Sequence, residues 1–200
     1  MATEVLRLNQ FDCGILKPLD LVIHERECVC LSGASGSGKS RLLRAIADLD
    51  PHGGEAVLRG HAQSAIPAPQ WRRRVALLPA ESQWWAETVG EHLPKAPAAA
   101  DLRALDLPAE ATSWNVARLS SGEKQRLALL RVVSLSPEVL LLDEPTANLD
   151  SDNAARVERW LLRLVREQRL AALWVSHDPA QIERVADARL RIREGEAQWS

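Results

Sequence analysis

A glycine-rich segment between a predicted strand and a predicted helix constrains the fold of this chain more than any other feature. It reads Gly33-Ala34-Ser35-Gly36-Ser37-Gly38-Lys39-Ser40, which matches the pattern G-x-x-x-x-G-K-[ST] at every specified position. The apolar residues 28–31 before it predict a strand, and residues 42–47 after it predict a helix. This strand, loop and helix order is the setting of a phosphate-binding loop, so we expect an α/β fold with a polyphosphate site.

The residue types of this loop suit the binding of a nucleoside polyphosphate. Its glycines let backbone N–H groups turn inward around the phosphates, where a Cβ atom would block the conformation or the approach. Lys39 places a cation on the outer phosphates, and Ser40 offers a hydroxyl to Mg²⁺. The helix that starts here directs its positive end toward the anion. The alternative, a flexible Gly/Ser-rich linker, is disfavoured by the flanking strand and helix.

Length and charge limit the classes of protein to which the chain could belong. Its 200 residues fit one domain, which we expect to span residues 1–200. The net charge is −2, with acidic and basic residues interleaved, so we expect no nucleic-acid partner. The local exception, Arg72-Arg73-Arg74, is expected to lie in a solvated loop or to contact a partner surface.

Targeting signals and cysteine usage both point to the cytosol. The N-terminus lacks a charged segment followed by an apolar one, and no apolar run is long enough to cross a bilayer. Cys13, Cys28 and Cys30 are odd in number, and the last two share one face of a predicted strand. We therefore expect a soluble cytosolic protein with buried, reduced thiols rather than a disulfide or a metal site.

The remaining pattern predicts a β-layer, a nucleotide-binding core and an insert. Strands are predicted at residues 5–8, 19–23, 55–58 and 75–78, with a turn at 12–14, an end to the first helical segment at Gly53-Gly54 and a loop around Pro67 and Pro69. Residues 90–116 are rich in Ala and Pro, and predict a small, separately packed insert with one short helix near residues 101–105.

The second half of the chain places polar residues at a helix start and at two strand ends. Ser120 and Glu123 form a capping box before a helix over residues 124–134. An apolar run over 139–142 predicts a buried parallel strand, and Asp143-Glu144 follow it at the end where ligands bind in such sheets. A long helix over 151–168, a strand over 171–176 ending at His177-Asp178, a helix over 181–185 and a closing β-ribbon complete the prediction.

The order and spacing of these motifs resemble those of the ATP-binding cassette (ABC) ATPases over nearly the whole chain. The resemblance rests on the phosphate loop followed by Leu119-Ser120-Ser121-Gly122-Glu123-Lys124-Gln125-Arg126, Leu140-Leu141-Leu142-Asp143-Glu144-Pro145, Asn148-Leu149-Asp150 and Ser176-His177-Asp178. It implies a P-loop NTPase-type parallel sheet flanked by helices, with an antiparallel β-layer and a small, shortened helical subdomain. Residues 122–126 and 173–178 are most similar to a subgroup of iron-export ATP-binding subunits.

The resemblance implies a role for each matching residue of the phosphate site. Residues 33–40, with Arg41 beside them, would hold the phosphates of ATP, and Asp143 would hold Mg²⁺ together with Ser40. Glu144 would act as the general base that orients or deprotonates the attacking water. His177 would contact the γ-phosphate; the alternative is a structural histidine at a strand end.

The resemblance also implies that two copies of the chain close head to tail around two ATP molecules. Ser120, Ser121, Gly122 and Glu123 would then complete the site of the opposite copy. A capped helix N-terminus is an anion site, which agrees with this role, although an ordinary capping box remains the alternative. Residues 148–150 would lie at the same seam, and Asp150 could equally serve as the N-cap of the next helix.

Three positions depart from the family pattern. Ala80 stands where the family places a Gln that senses Mg²⁺ and the transport partner, and Glu81 or Gln83 could substitute only through a register shift. Ser121 stands where the family prefers Gly. The chain has no Tyr, so Phe11 is the candidate for stacking on adenine, with a core aromatic as the alternative.

Adjacent tryptophans follow the missing Gln in the loop where the family contacts its membrane partner. Trp84 and Trp85 cannot both face inward on an extended segment, so we expect one of them to be an exposed interface anchor. We therefore expect a Mg²⁺-dependent ATPase subunit at the cytoplasmic face of the inner membrane, which drives a separate permease in transport such as metal or iron export. The alternatives are a soluble non-transport ABC ATPase and a regulatory nucleotide-binding module with little turnover.

Overall fold

The computed structural model describes residues 3–200, which form ten strands and six α-helices. The strands are β1 (Glu4–Asp12), β2 (Leu19–His24), β3 (Glu27–Gly33), β4 (Gly53–Leu58), β5 (His61–Ala62), β6 (Val75–Leu78), β7 (Val139–Asp143), β8 (Ala171–Val175), β9 (Ala188–Arg193) and β10 (Glu196–Trp199). The α-helices are α1 (Lys39–Ile46), α2 (Ala68–Arg74), α3 (Ala99–Ala104), α4 (Ser121–Ser134), α5 (Ser151–Glu167) and α6 (Pro179–Val185). Short 3₁₀ helices span Gln63–Ala65, Gly90–His92, Ala109–Ser113 and Val116–Arg118.

Two sheets form the framework. The larger has the order β10-β9-β3-β8-β7-β6, in which β10 alone is antiparallel to its neighbour. The smaller is antiparallel, with the order β2-β1-β4-β5. A mostly parallel sheet flanked by helices, with an antiparallel layer beside it, confirms the predicted fold class.

Alternation along the central strands divides the core into two clusters, one on each face of the larger sheet. On β3, Val29 and Leu31 join the cluster shared with the β-layer and α1, whereas Cys28 and Cys30 join the cluster shared with α4 and α5. All five residues of β7 are buried, which explains its continuous apolar sequence, because helices or the second sheet cover both of its faces. The three cysteines are buried and free, as predicted.

The first helix ends earlier than the sequence suggested, and Gly53-Gly54 begin a strand instead of ending that helix. Helix α1 stops at Ile46, and Gly53 opens β4, where it pairs with Asp12 of β1. A Cβ atom on Gly54 would lie 2.1 Å from the carbonyl oxygen of Gln10. The glycine is therefore required by close backbone approach within the β-layer, a role that its sequence neighbours do not reveal.

The prediction of a loop around Pro67 and Pro69 is wrong, because α2 occupies residues 68–74. Pro67 precedes the helix and Pro69 lies in its first turn, where a missing N–H has no cost. Helix α2 buries Trp71 fully, and the indole Nε1 donates to the carbonyl of Ile46 at 2.8 Å. The three arginines therefore form the last helical turn and not a loop, and Arg74 pairs with Glu138.

The segment 90–116 is not separately packed as predicted. Its short helix α3 spans Ala99–Ala104, and Leu102, Leu105 and Leu107 belong to the same apolar cluster as α4 and α5. The indole Nε1 of Trp160 on α5 also donates to Asp101 at 2.8 Å. The segment is too short to form a core of its own, so its apolar side chains pack into the core of the rest of the domain.

No helix within residues 3–200 is both long enough and apolar enough to span a membrane.

Candidate functional site

The candidate site lies where three neighbouring parallel strands end. Strands β3, β8 and β7 are adjacent in the larger sheet, and Leu31 and Asp143 both pair with Val175. The carboxyl ends of parallel strands meet at one edge, where the chain leaves each strand for the next helix. This topology brings the phosphate loop after β3 next to Asp143-Glu144 after β7 and His177 after β8.

The phosphate loop has the backbone conformation that its glycines predicted. Gly38, immediately before α1, has a φ of 100°, a region that residues with a Cβ atom rarely adopt. A Cβ atom on Gly33 would lie 2.9 Å from both the carbonyl oxygen of Ile192 and Oγ of Ser37. The Ser37 hydroxyl is buried without a hydrogen-bond partner among residues 3–200, which leaves it available to a ligand.

Lys39 folds back over the loop that precedes it. Its Nζ donates to the carbonyl oxygens of Gly33 at 3.0 Å and Ala34 at 2.8 Å. Burial lowers the pKa of Lys39, although the nearby carboxylates of Glu144 and Asp143 act in the opposite direction. The ammonium is therefore held in the loop at a position where a phosphate can replace the two carbonyl contacts.

Asp143 and Ser40 form a pair that fits Mg²⁺. Asp143 is 6% exposed, and burial raises the pKa of its carboxyl group against an opposing hydrogen bond from Ser40. No group of three or more His, Cys, Asp and Glu residues within 3–200 could hold a metal ion by itself. One carboxylate and one hydroxyl are suited to Mg²⁺, which takes its other ligands from phosphates and water.

Glu144 and His177 are in direct contact at the ends of β7 and β8. Nε2 of His177 lies 2.8 Å from Oε1 of Glu144, and both side chains keep part of their surface exposed. Glu144 has a φ of 48°, a left-handed conformation that is uncommon for a residue with a side chain. The imidazole can thus orient the carboxylate, whose exposed part can accept a proton from a water.

The predicted capping box forms at the start of α4. Oγ of Ser120 accepts from the N–H of Glu123 at 3.3 Å, while the Glu123 carboxylate accepts from the N–H and the hydroxyl of Ser120 at 2.8 and 2.7 Å. Ser120 and Ser121 are exposed, and Gly122 packs against the turn after Glu144, near Leu149. The helix N-terminus thus faces solvent, which leaves room for a second molecule. Asp150 does cap α5, through Asp152 and Asn153.

The prediction that Phe11 stacks on adenine is wrong. Phe11 is fully buried in the β-layer core, and its ring stacks on His52 with the centroids 4.7 Å apart. A nucleobase cannot reach a face of this ring. Arg41, by contrast, is exposed in the first turn of α1, and one of its guanidinium nitrogens lies beside Gly14.

Ile15 is a neighbour of the loop that the sequence did not predict. Ile15 is 45% exposed, and its Cδ1 would be 2.7 Å from a Cβ atom on Gly38. The available sign in the sequence was an apolar residue next to the predicted turn before β2, where polar residues are usual. Gln83 is exposed in a groove with Asn115 and Lys124, and its carbonyl accepts from Arg131 at 2.8 Å.

The tryptophan pair divides as expected. Trp84 packs partly against the α4 and α5 cluster, whereas Trp85 is 74% exposed. The guanidinium of Arg131 lies 4.8 Å from the Trp84 ring centroid and 5.2 Å from that of Trp85. Both indoles also meet His92 edge-on. The exposed Trp85 side chain is therefore held in place by its contacts with Arg131 and His92.

Comparisons with known proteins agree with this geometry. The model of the "ABC transporter" family matches residues 16–147. The Escherichia coli (strain K12) "Probable iron export ATP-binding protein FetA" is 34% identical over 183 residues, covering 86% of this chain and 81% of that protein. The Nocardia farcinica "Aliphatic sulfonates import ATP-binding protein SsuB 3" is 40% identical over 184 residues, covering 90% of this chain and 72% of the relative.

A solved structure shares the fold. The structure described as "a bacterial Atm1-family ABC exporter with ATP bound" aligns with 98% of this chain at a TM-score of 0.85 and 20% sequence identity. This chain spans 38% of the length of that exporter chain. The family match and the two relatives carry the assignment: the chain belongs to the ABC transporter family and is an ATP-binding subunit with ATPase activity.

Proposed function

We propose that this chain hydrolyses Mg²⁺-ATP at the edge where β3, β7 and β8 end, and that two copies must meet for turnover. The observation that carries the proposal is the convergence of Lys39, Asp143, Glu144 and His177 at one sheet edge. A phosphate cradle, a metal carboxylate, a base and a second polar group are the parts that in-line phosphoryl transfer to water needs.

Each side chain has a proposed part in the reaction. Backbone N–H groups of residues 33–40 and the ammonium of Lys39 hold the β- and γ-phosphates, with Arg41 beside them. Ser40 and Asp143 would hold Mg²⁺, which would neutralise charge that develops on the phosphates. Glu144 orients the attacking water and accepts its proton, because its carboxylate is partly exposed and directly follows the proposed metal ligand Asp143 in the chain.

His177 completes the arrangement from β8. Its Nε2 lies 2.8 Å from the Glu144 carboxylate, so the imidazole can fix that carboxylate and contact the γ-phosphate. Positioning and charge stabilisation supply most of the rate in phosphoryl transfer. A contact that fixes the base relative to the phosphate is therefore expected to affect turnover more than binding.

The second copy is proposed to supply the turn of Ser120, Ser121, Gly122 and Glu123. The free N–H groups at the start of α4 are exposed and carry the positive end of the helix dipole, so they suit a γ-phosphate held by the opposite copy. Ser121, in place of Gly, adds a small polar side chain at the approach. The assembly would be a homodimer with two ATP molecules at its seam.

A membrane permease is the proposed mechanical partner, with the chain at the cytoplasmic face of the inner membrane. Trp85, supported by Arg131 and His92, is the proposed anchor for that partner. The whole chain, residues 1–200, would act as one ATP-binding domain. The likeness to FetA makes metal export, including iron, the proposed transport process.

Phosphate release from the purified chain tests the reaction. We expect Mg²⁺-dependent hydrolysis by the wild type, and a rate about 10²- to 10⁴-fold lower for Glu144→Gln, which keeps the shape of the base and removes its proton affinity. Binding of a fluorescent ATP analogue should be unchanged in the variant. Equal rates for the wild type and Glu144→Gln would refute the assigned reaction.

A further inference from the structure

Two buried glutamines, which have no part in the proposed reaction, donate hydrogen bonds to the turn that follows Glu144. This turn, residues 144–150, begins with the left-handed φ of 48° at Glu144. Its own backbone makes two hydrogen bonds, from the N–H of Ala147 to Glu144 at 3.2 Å and from that of Leu149 to Thr146 at 3.1 Å. A left-handed residue with a side chain persists only where its surroundings fix it.

The first glutamine belongs to the helix whose N-terminus carries the capping box. Gln125 on α4 is 4% exposed, and its Nε2 donates to the carbonyl oxygen of Pro145 at 3.0 Å. Pro145 directly follows Glu144. Gly122, one turn earlier on α4, lies against Leu149 at the other end of the turn. The helix that presents Ser120 is therefore attached to the turn at both ends.

The second glutamine belongs to the helix that follows His177. Gln181 on α6 is 6% exposed, and its Nε2 donates to Oγ1 of Thr146 at 2.8 Å and to Glu158 at 2.9 Å. Glu158 is itself buried and is held by two hydrogen bonds from Arg184. Gln181 is thus fixed in place, and it links the segment of His177 to the residue two positions after Glu144.

We propose that Gln125, Gln181 and Thr146 are positioning residues that form a clamp on the turn after Glu144. The clamp fixes the Glu144 carboxylate relative to His177 through α6, and relative to the phosphate-facing N-terminus of the other site through α4. This inference rests on the proposed function of Glu144. It gives a role to Gln125, which lies in the motif of residues 119–126 without an assigned part in the reaction, and to Thr146 and Gln181, which lie outside the recognised motifs. It also connects the two sites that one copy serves.

The contacts suit a positioning role better than a purely structural one. Each glutamine aims a side-chain donor at the turn and contacts no atom of the phosphate loop in the hydrogen bonds of residues 3–200. The turn carries the catalytic carboxylate at its first residue, so a small rotation there moves the carboxylate itself. Misplacement of a catalytic group by about 1 Å can lower turnover by up to about 100-fold.

Thr146→Val is the most selective test, because valine has the shape of threonine and lacks the oxygen that accepts from Gln181. Thr146→Ser restores that oxygen and serves as the conservative rescue. Gln125→Met removes the other donor at nearly the same volume. Arg189→Gln is the matched control: it removes an ion pair to Glu183 on α6, whereas the bonds from Gln181 to Thr146 and Glu158 stay.

The measurements are kcat, KM for ATP, affinity for a fluorescent ATP analogue and melting temperature, all on the purified full chain with wild type and Glu144→Gln beside them. We expect Thr146→Val and Gln125→Met to lower kcat by about 10-fold or more, with KM and affinity within about twofold of wild type. Thr146→Ser and Arg189→Gln should retain kcat within about twofold.

Two outcomes would overturn the clamp. One is an unchanged kcat in both Thr146→Val and Gln125→Met. The other is a loss of kcat that is accompanied by parallel losses of affinity and melting temperature, because that pattern reports loss of folded protein. If wild type hydrolyses ATP no faster than Glu144→Gln, the proposed function fails first and the clamp falls with it, so the two failures are distinguishable.

Discussion

Replacing Lys39 by Met should separate the energetics of folding from those of nucleotide binding. The side chain is 6% exposed, and its Nζ donates only to the carbonyls of Gly33 and Ala34 in the hydrogen bonds of residues 3–200. Burial lowers the pKa of Lys39 more than Glu144 and Asp143 raise it, so the folded chain holds this charge at a net cost. Met keeps the length and apolar stem of the side chain and removes the charge.

The expected magnitudes differ for the two processes. Loss of two hydrogen bonds and relief of a buried charge act in opposite directions, so we expect the free energy of unfolding to change by less than about 1 kcal/mol. A hydrogen bond between charged groups contributes about 2–3 kcal/mol, which corresponds to ATP binding about 30- to 150-fold weaker without the ammonium. The variant should therefore be folded, with weak binding and hydrolysis at background.

Urea denaturation measures the first quantity, and titration with a fluorescent ATP analogue measures the second. Lys95→Met is the matched control, because Lys95 lies on the exposed surface and hydrogen-bonds Ser136. That control should bind ATP as wild type does. A Lys39→Met variant with wild-type affinity would refute the assignment of the phosphate site, and one that loses several kcal/mol of stability would refute the reasoning on the buried charge.

Two further predictions concern the capping box and the exposed tryptophan. Hydrogen bonds from Ser120 hold the pKa of Glu123 below its ordinary value of 4.5. The stability that this contact contributes is therefore present above pH 4.5 and is lost as the pH falls through the folded-state pKa. The difference in melting temperature between wild type and Glu123→Gln should accordingly shrink in acid, and a constant difference would contradict this. Trp85→Ser should leave the melting temperature and the ATPase rate of the isolated chain unchanged, because the side chain is 74% exposed. The variant should nevertheless lower the yield of permease that copurifies from detergent extracts. An equal yield would exclude Trp85 as the anchor.

The sequence predicted those parts of the site that depend on local patterns. The phosphate loop needs glycines at short fixed spacings followed by a Lys and a Ser, and the capping box needs Ser and Glu three residues apart, so both can be read from neighbouring residues. Asp143-Glu144 and His177 follow apolar strands, and parallel strands end at one edge. Their meeting could therefore be anticipated, although the 2.8 Å contact between Glu144 and His177 could not.

The features that the sequence could not show depend on contacts between distant segments. Phe11 is not available to adenine, because His52, 41 positions further along the chain, stacks on its ring. Gly54 is needed because Gln10 approaches it, and Gln125 and Gln181 look like ordinary polar residues of amphipathic helices until their partners Pro145 and Thr146 are known. In each case one partner alone carries no signal.

In the proposed ATP-bound dimer, the Ser120 turn of one copy completes the phosphate loop of the other. The mass of Glu144→Gln by light scattering, with and without Mg²⁺-ATP, is the decisive measurement of this shared site. A variant that binds ATP without hydrolysing it should remain in the ATP-bound dimer. We expect a mass near 22.1 kDa without nucleotide and twice that value with it. A mass that stays at one chain under saturating Mg²⁺-ATP would contradict the shared site.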